Sequence, residues 1–275
     1  CGYMDFALFE RIIDWAEQNK VKDISFALFG EPLIHERIFD MIALSLEKGL
    51  RVGISSNAIK MSASYADKLL SYNLEAIEMS LDGYTEEEYL EGKKVGQYKQ
   101  AKENIEYLLK KAKEKNSKAR FNVHFVDAGN VSAKNKRKFV KYWSEKLEGL
   151  NYVTSFYYEP HNWAGTRADL KKNISFIDRI LGKLELKKPC VYIKGLNIDW
   201  NGNVIICTND PTDTAVIGNV NDSKIEDIYN GEKRMKYLEA HEKGDFRDLN
   251  CSKCNVNSYW PLLFIKKRVV NYFSK

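Results

Sequence analysis

No stretch of this 275-residue sequence is apolar for long enough to cross a bilayer as a helix. The run YWPLLFI near the C-terminus, residues 259–265, is far short of the roughly 20 residues that a spanning helix needs. A secretory signal pattern is also missing, and the expectation is a cytoplasmic protein. The chain starts on Cys1 and not on methionine, as a fragment or a processed form does, so a removed leader stays open. There is no internal repeat and no low-complexity linker, which argues against a solenoid or a string of modules. Charge of one sign is scarce too: 43 Lys and Arg against 38 Asp and Glu leave a net +5. The lysines are scattered, as in LLKKAKEKNSK at the end of a helical stretch. They read as a solvated helix face and not as a nucleic-acid patch. Cysteines number five; without a secretory signature, clustered cysteines point to metal before disulfides.

What is present is an ordinary globular composition, 44% hydrophobic and 29% charged, with ample core material. Helical and strand-like stretches alternate over the first 160 residues or so. DFALFERIIDWAEQN carries apolar residues at helical spacing, and DISFALF follows as a strand-like run. RIFDMIALSLEKGL reads as a helix closed by Gly49, and RVGISS as a strand. SASYADKLLSYN, GQYKQAKENIEYLLKKAKEK and SAKNKRKFVKYWSEKL are helices; EAIEMSLD, ARFNVHFVD and YVTSFYYEP are strands. Such alternation predicts an α/β fold with a parallel sheet and crossover helices, open or curled into a barrel. Ligands of such folds bind beyond the C-terminal strand ends. Gly30-Glu31-Pro32, Ser55-Ser56-Asn57 and Ser80-Leu81-Asp82-Gly83 fall there.

After about residue 165 the pattern changes. GLNIDWNGNVIIC reads as a β-hairpin with Asn201-Gly202 as its two-residue turn, and DSKIEDIYNGEKRMKYLEAHEKGD as short helices. The expected organisation is a barrel-like domain over 1–165, a connecting helix over 166–185, a smaller domain over 186–258 and an amphipathic tail over 259–275. Docking on the protein's own surface is preferred for the tail, with contact to an anionic membrane as the sharper alternative. The smaller domain holds Cys190-x16-Cys207-x43-Cys251-x2-Cys254. A C-x2-C pair grips one centre from a tight turn, and the hairpin brings Cys190 and Cys207 together. Four thiolates suit tetrahedral zinc or a cubane iron–sulfur cluster, and spacing does not separate the two.

These segments together resemble the radical S-adenosylmethionine (SAM) superfamily with a C-terminal auxiliary-cluster domain of the SPASM or shorter twitch type. LFGEPLIHERIFDMI resembles its Gly-Glu-Pro motif, and VGISSNAIKM its third-strand element, with Ser56 and Ala58 for the usual Thr and Gly. IEMSLDGYTEEEYLEG resembles its fourth-strand element, and PCVYIKGLNIDWNGNVIICTND…IGNV…CSKC its auxiliary domain. The resemblance implies a partial (β/α)6 barrel with a small C-terminal α+β domain. It implies SAM as cofactor, with Gly30, Glu31 and Pro32 at its amino group, Ser55 and Asn57 near the ribose, and Ser80 and Asp82 lining the site. Lys93 stands where the family often has an Arg for the SAM carboxylate; it lacks the bidentate fork. A SAM-cleaving [4Fe–4S] cluster and an auxiliary [4Fe–4S] cluster are implied as well. Cys190, Cys207, Cys251 and Cys254 are the auxiliary ligands, and Cys1 is taken as the last member of the family's CxxxCxxC, whose other cysteines and preceding strand are outside this sequence.

The function this implies is hydrogen abstraction by a 5′-deoxyadenosyl radical and oxidative modification of a small polar substrate, a sugar- or cyclitol-like alcohol being favoured. The alternatives are a ribosomal-peptide maturase and a non-catalytic SAM-binding barrel with a structural zinc. The expected partners are a small-molecule or peptide substrate and an external electron donor such as flavodoxin or ferredoxin; no nucleic acid is expected. Strand alternation puts Asn122 and His124 on one face. His124, Glu159 and His161 are the candidates for the base that takes a hydroxyl proton.

Overall fold

The computed structural model describes residues 2–126, 130–152, 156–158, 190–208, 210 and 215–254. The chain divides into two compact units, Asp5–Pro160 and Cys1–Met4 with His161–Lys275. Among the described residues no helix is long and apolar enough to cross a membrane.

In the first unit, helix α1 (Phe6–Gln18) leads into strand β1 (Asp23–Phe26), α2 (Ile38–Glu47) and β2 (Arg51–Ser56). Next come α3 (Ala63–Leu69), β3 (Ala76–Ser80), α4 (Glu86–Lys93), α5 (Tyr98–Glu114), β4 (Arg120–Val126), α6 (Ala133–Leu147) and β5 (Phe156–Tyr158). The five strands pair in chain order and every pairing is parallel. The helix starts are legible in local chemistry. Asp5 accepts from the amides of Ala7 and Leu8, Ser62 from Tyr65, and Ser132 from Asn135. Thr85 and Glu88 form a reciprocal capping box at α4.

The sheet has one apolar and one polar face. Val52, Ile54, Ile77, Met79, Phe121 and Phe125 are almost fully buried and form one cluster with helix residues such as Leu108, Phe139 and Trp143. Each such side chain contributes about 1.5–3 kcal/mol by leaving water. The alternate positions are Ser55, Glu78, Ser80, Asn122 and His124. Register aligns Ser55 with Glu78 and Glu78 with Asn122, and Ser80 with His124. A period of two thus gathers the polar residues of three strands on one side.

Strand β1 ends earlier than DISFALF suggests. Leu28 has φ +85°, a conformation that does not continue a strand. The chain turns there, reaches exposed Gly30, and enters a short 3-10 turn at Pro32–Ile34.

In the second unit, β6 (Asn197–Ile198), β7 (Asn203–Ile205) and β8 (Val216–Asn219) form an antiparallel sheet. The hairpin forms where expected, but its loop is not the two-residue Asn201-Gly202 turn: the Asp199 amide donates to the Asn203 carbonyl and the Gly202 amide to the Asp199 carbonyl, so Trp200, Asn201 and Gly202 make a three-residue loop. Gly202 closes it at φ +84°, and a Cβ there would sit 2.7 Å from Asn221 Nδ2. Helices α7 (Ile225–Tyr229) and α8 (Glu232–Lys243) follow, and a 3-10 turn at Asn250–Lys253 presents the C-x2-C pair.

Candidate functional site

The end of β1 and the end of β2 are joined by one carboxylate. Glu31 Oε2 accepts from the Asn57 amide at 2.7 Å; Oε1 accepts from Ser56 Oγ at 2.8 Å and from the Leu33 amide at 3.1 Å. Ser56 Oγ in turn accepts from the Ala58 amide at 2.9 Å. The Asn57 side chain turns back on the loop and accepts from the Ile59 amide at 3.0 Å. Ala58 is held at φ +62°, a region that ordinarily favours glycine. Asn104 on α5 fixes this turn by donating to the carbonyls of Ala58 and Ile59 at 2.8 and 3.1 Å.

The end of β3 carries a second polar set. Ser80 Oγ donates to Asp82 Oδ1 at 3.1 Å, and Lys93 Nζ lies 3.0 Å from Asp82 Oδ2 and 3.3 Å from Ser80 Oγ. Gly83 makes this corner possible: its φ is +130°, and a Cβ would meet Glu88 Cβ and the Tyr89 amide at 2.8 Å. The close approach presses α4 onto the loop. Tyr89 is fully buried, and its hydroxyl has no hydrogen-bond partner among the described residues. Burial, then the carboxylates of Asp82 and Glu31, push this phenol up to about 12. An orphaned buried hydroxyl costs about 1–3 kcal/mol unless something supplies its bond. It stands within electrostatic reach of both strand ends, so the residues present fit a polar ligand.

On the polar face Asn122 Nδ2 donates to Glu78 Oε1 at 3.1 Å, while the buried Asn122 Oδ1 has no partner among the described residues. His124 is buried, and burial lowers its basicity below the ordinary value; Glu78 and Asp82 oppose this, and Lys93 adds to it. The imidazole is therefore held neutral.

In the second unit Cys190, Cys207, Cys251 and Cys254 are all half-buried and none of them is in a disulfide. Burial, then Cys254, Cys207 and Cys190, push the Cys251 thiol up to about 12, and burial followed by Cys254 raises Cys190. Thiols that repel one another's charge in this way stand close together and suit a cationic centre that takes them as thiolates. Tyr237 feels the same group: burial, then Cys251, Asp210 and Cys207, push its phenol up to about 12. Among the described residues no three His, Cys, Asp or Glu side chains are arranged to hold a single metal ion. Four thiolates suit either a tetrahedral zinc or a cubane cluster.

The structure thus brings Glu31, Asn57, Ser80, Asp82 and Lys93 to three neighbouring strand ends, places Ser55 on the polar face with His124, and gathers the four distal cysteines. Gly30 and Pro32 flank Glu31. At the β2 end it is Ser56, the neighbour of the expected Ser55, that bonds the Glu31 carboxylate and the Ala58 amide. Cys1, Glu159 and His161, with residues 166–185 and 259–275, lie outside the described residues. Sequence reasoning missed Tyr89 and His241; a Tyr inside an acidic helix start and a lone His among lysines carry no spacing signal.

The Radical SAM superfamily model matches residues 2–127, and the SPASM iron–sulfur cluster-binding domain matches residues 190–255. A Pyrococcus furiosus protein, the tungsten-containing aldehyde ferredoxin oxidoreductase cofactor-modifying protein, is 33% identical over 82 residues, 30% of this chain and 23% of that protein. The matched segment is thus under a quarter of that relative's length. Among solved structures, BtrN in complex with AdoMet and 2-DOIA aligns over 93% of this chain and 81% of its own, with a TM-score of 0.58 and 15% identity. Native anSMEcpe with bound AdoMet and Cp18Cys peptide aligns over 88% and 76%, with a TM-score of 0.61 and 16% identity. At such identities the likeness is one of fold: an α/β partial barrel followed by a small cluster domain.

Proposed function

We propose, for a chain that belongs to the radical SAM superfamily and carries a C-terminal SPASM domain, that the whole protein removes two electrons from a small polar alcohol of the sugar or cyclitol kind. The observation that carries this reading is the aligned polar row on the sheet, Ser55–Glu78–Asn122 with Ser80–His124. A hydroxylated ligand uses such a row; an apolar one would leave its groups unpaired.

SAM and a [4Fe–4S] cluster, when bound, supply a radical that takes a hydrogen atom from the substrate, and a second cluster offers an acceptor for the electron left behind. The chain's own residues do the rest. Glu31 and the carbonyls around Gly30 and Pro32 take the SAM amino group, a cation with N–H donors only. Lys93 uses two of its N–H donors on Asp82 and Ser80 and has a third for the SAM carboxylate. Ser55 and Asn57 lie toward the ribose. His124, neutral and on the polar face, takes the hydroxyl proton as the carbonyl forms; Glu159 and His161 are the other candidates. An external one-electron donor of the ferredoxin or flavodoxin type restores the SAM-cleaving cluster.

Oxidation is preferred to epimerisation because return of a hydrogen atom commonly uses a thiol donor, and the four described cysteines are assigned to the cluster; a tyrosine is the other hydrogen donor the chain offers. The likeness to BtrN with 2-DOIA supports a small molecule; the likeness to anSMEcpe with Cp18Cys peptide supports a peptide as the second reading. The test is to incubate the reduced protein with SAM and panels of cyclitols, sugars and peptides in D2O. A ketone formed with one SAM consumed per turnover is expected. Deuterium returned to carbon at an unchanged oxidation state overturns the direction, and turnover of peptides alone overturns the substrate class.

A further inference from the structure

His241 lies in the last turn of α8 and is almost wholly buried, its ring against Phe246 with centroids 4.6 Å apart. The helix ends two residues later at Lys243, and Gly244 after it adopts φ +70°, its amide returning to the Ala240 carbonyl. That stop fixes where the imidazole stands. Its two nitrogens face two cysteines from distant parts of the sequence. The Cys190 amide is 3.4 Å from Nδ1, and Nε2 is 3.4 Å from Cys251 Sγ. A backbone amide only donates. Nδ1 must therefore accept, which leaves the ring proton on Nε2, and Nε2–H points at the sulfur.

We propose that His241 is a positioning residue of the SPASM centre, which holds Cys190 and Cys251 in place and donates an N–H···S hydrogen bond that raises the reduction potential of the cluster. The inference rests on the reading that the four cysteines hold an iron–sulfur cluster. A ligating sulfur is more negative when the cluster is reduced, so a donor aimed at it favours the reduced state; such bonds around a centre are a main lever on its potential. His241 is not a ligand in this account. Its geometry is set by the protein alone, through the helix stop and the Cys190 amide.

Iron and labile-sulfide analysis of the wild-type protein comes first, and absence of a cluster at this centre overturns the underlying reading. With the cluster present, EPR-monitored redox titration compares wild type, His241→Phe and His241→Gln. Phe keeps a ring of similar volume and removes both hydrogen bonds; Gln keeps an N–H that reaches toward the sulfur. The expected shift in Phe is about tenfold in the one-electron equilibrium, about 59 mV downward, with partial recovery in Gln. An unchanged potential in both variants, with full iron loading, overturns the role of His241 while leaving the cluster in place. Should Phe fail to load, the ring tautomer decides. In 15N-histidine-labelled wild-type protein without cluster, the Nε2–H form is expected, and the Nδ1–H form overturns the proposal. With four histidines in the chain, the Gln variant identifies the signal.

Discussion

Replacing Glu31 with alanine should loosen the barrel unit before any ligand is involved. The carboxylate joins β1 to β2 through Ser56 Oγ at 2.8 Å, the Asn57 amide at 2.7 Å and the Leu33 amide at 3.1 Å. A hydrogen bond to a charged group contributes about 1.5–3 kcal/mol. Bonds that share one acceptor group do not add, and a partly exposed amide such as that of Asn57 recovers a water. The Ser56 hydroxyl, buried to 2% exposure, does not. The expected loss is therefore about 2–4 kcal/mol, a large share of the 5–15 kcal/mol typical of a domain. Glu31→Gln keeps one acceptor oxygen and turns an amide NH2 toward a donor, and about half that loss is expected. The assay is urea unfolding followed by amide exchange of β2 and β3, which reports on the barrel unit alone. Both variants should lower the midpoint at unchanged slope. If both lie within about 0.5 kcal/mol of wild type, the scale of an ordinary surface substitution, then Glu31 is not a brace, and its place at the strand end has to be explained by ligand binding alone.

Tyr89→Phe should act in opposite directions on the free and bound protein. It removes a buried hydroxyl with no partner among the described residues, so the free protein gains about 1 kcal/mol, while SAM affinity measured by equilibrium dialysis falls; a loss of stability without change in affinity would show the hydroxyl to be structural. His124 titrates below its ordinary value because it is buried, so its neutral form contributes fully above about pH 6.5, and stability falls as pH drops from there toward the folded value. Melting curves from pH 8 to pH 5 should show a steeper acid loss in wild type than in His124→Gln; parallel curves contradict the assignment. Gly202→Ala places a Cβ at φ +84° and 2.7 Å from Asn221 Nδ2, and should destabilise the hairpin unit by about 1–2 kcal/mol from the left-handed conformation alone, read as earlier loss of bound iron on heating.

The parts of the fold that were legible are those where burial alternates. β2, β3 and β4 show it in RVGISS, EAIEMS and FNVHFV, and the same alternation put Asn122 and His124 on one face. β1 was overextended because an apolar run gives no sign that Leu28 has a positive φ. α4 went unread: its first turn is three glutamates, without an apolar stripe, although the Thr85–Glu88 capping box was there to be seen. β8, four residues long, is too short for a pattern. At the candidate site, residue types were enough to place Glu31, Asn57, Ser80 and Asp82 at strand ends, where the structure has them. Which of Ser55 and Ser56 holds the carboxylate depended on which face of β2 meets the loop. The Asp82–Lys93 pair needed α4, and the contacts of Tyr89 and His241 are tertiary, so no spacing rule announces them.

The most direct test of the account is iron and acid-labile sulfide per chain in protein purified without oxygen, compared between wild type and the Cys251→Ala/Cys254→Ala variant. The account predicts that the variant loses the iron and sulfide of one [4Fe–4S] centre, together with its absorption and EPR signal, while β1–β4 stay protected from exchange. Wild-type protein holding a single zinc at the four cysteines, with no labile sulfide, would contradict it.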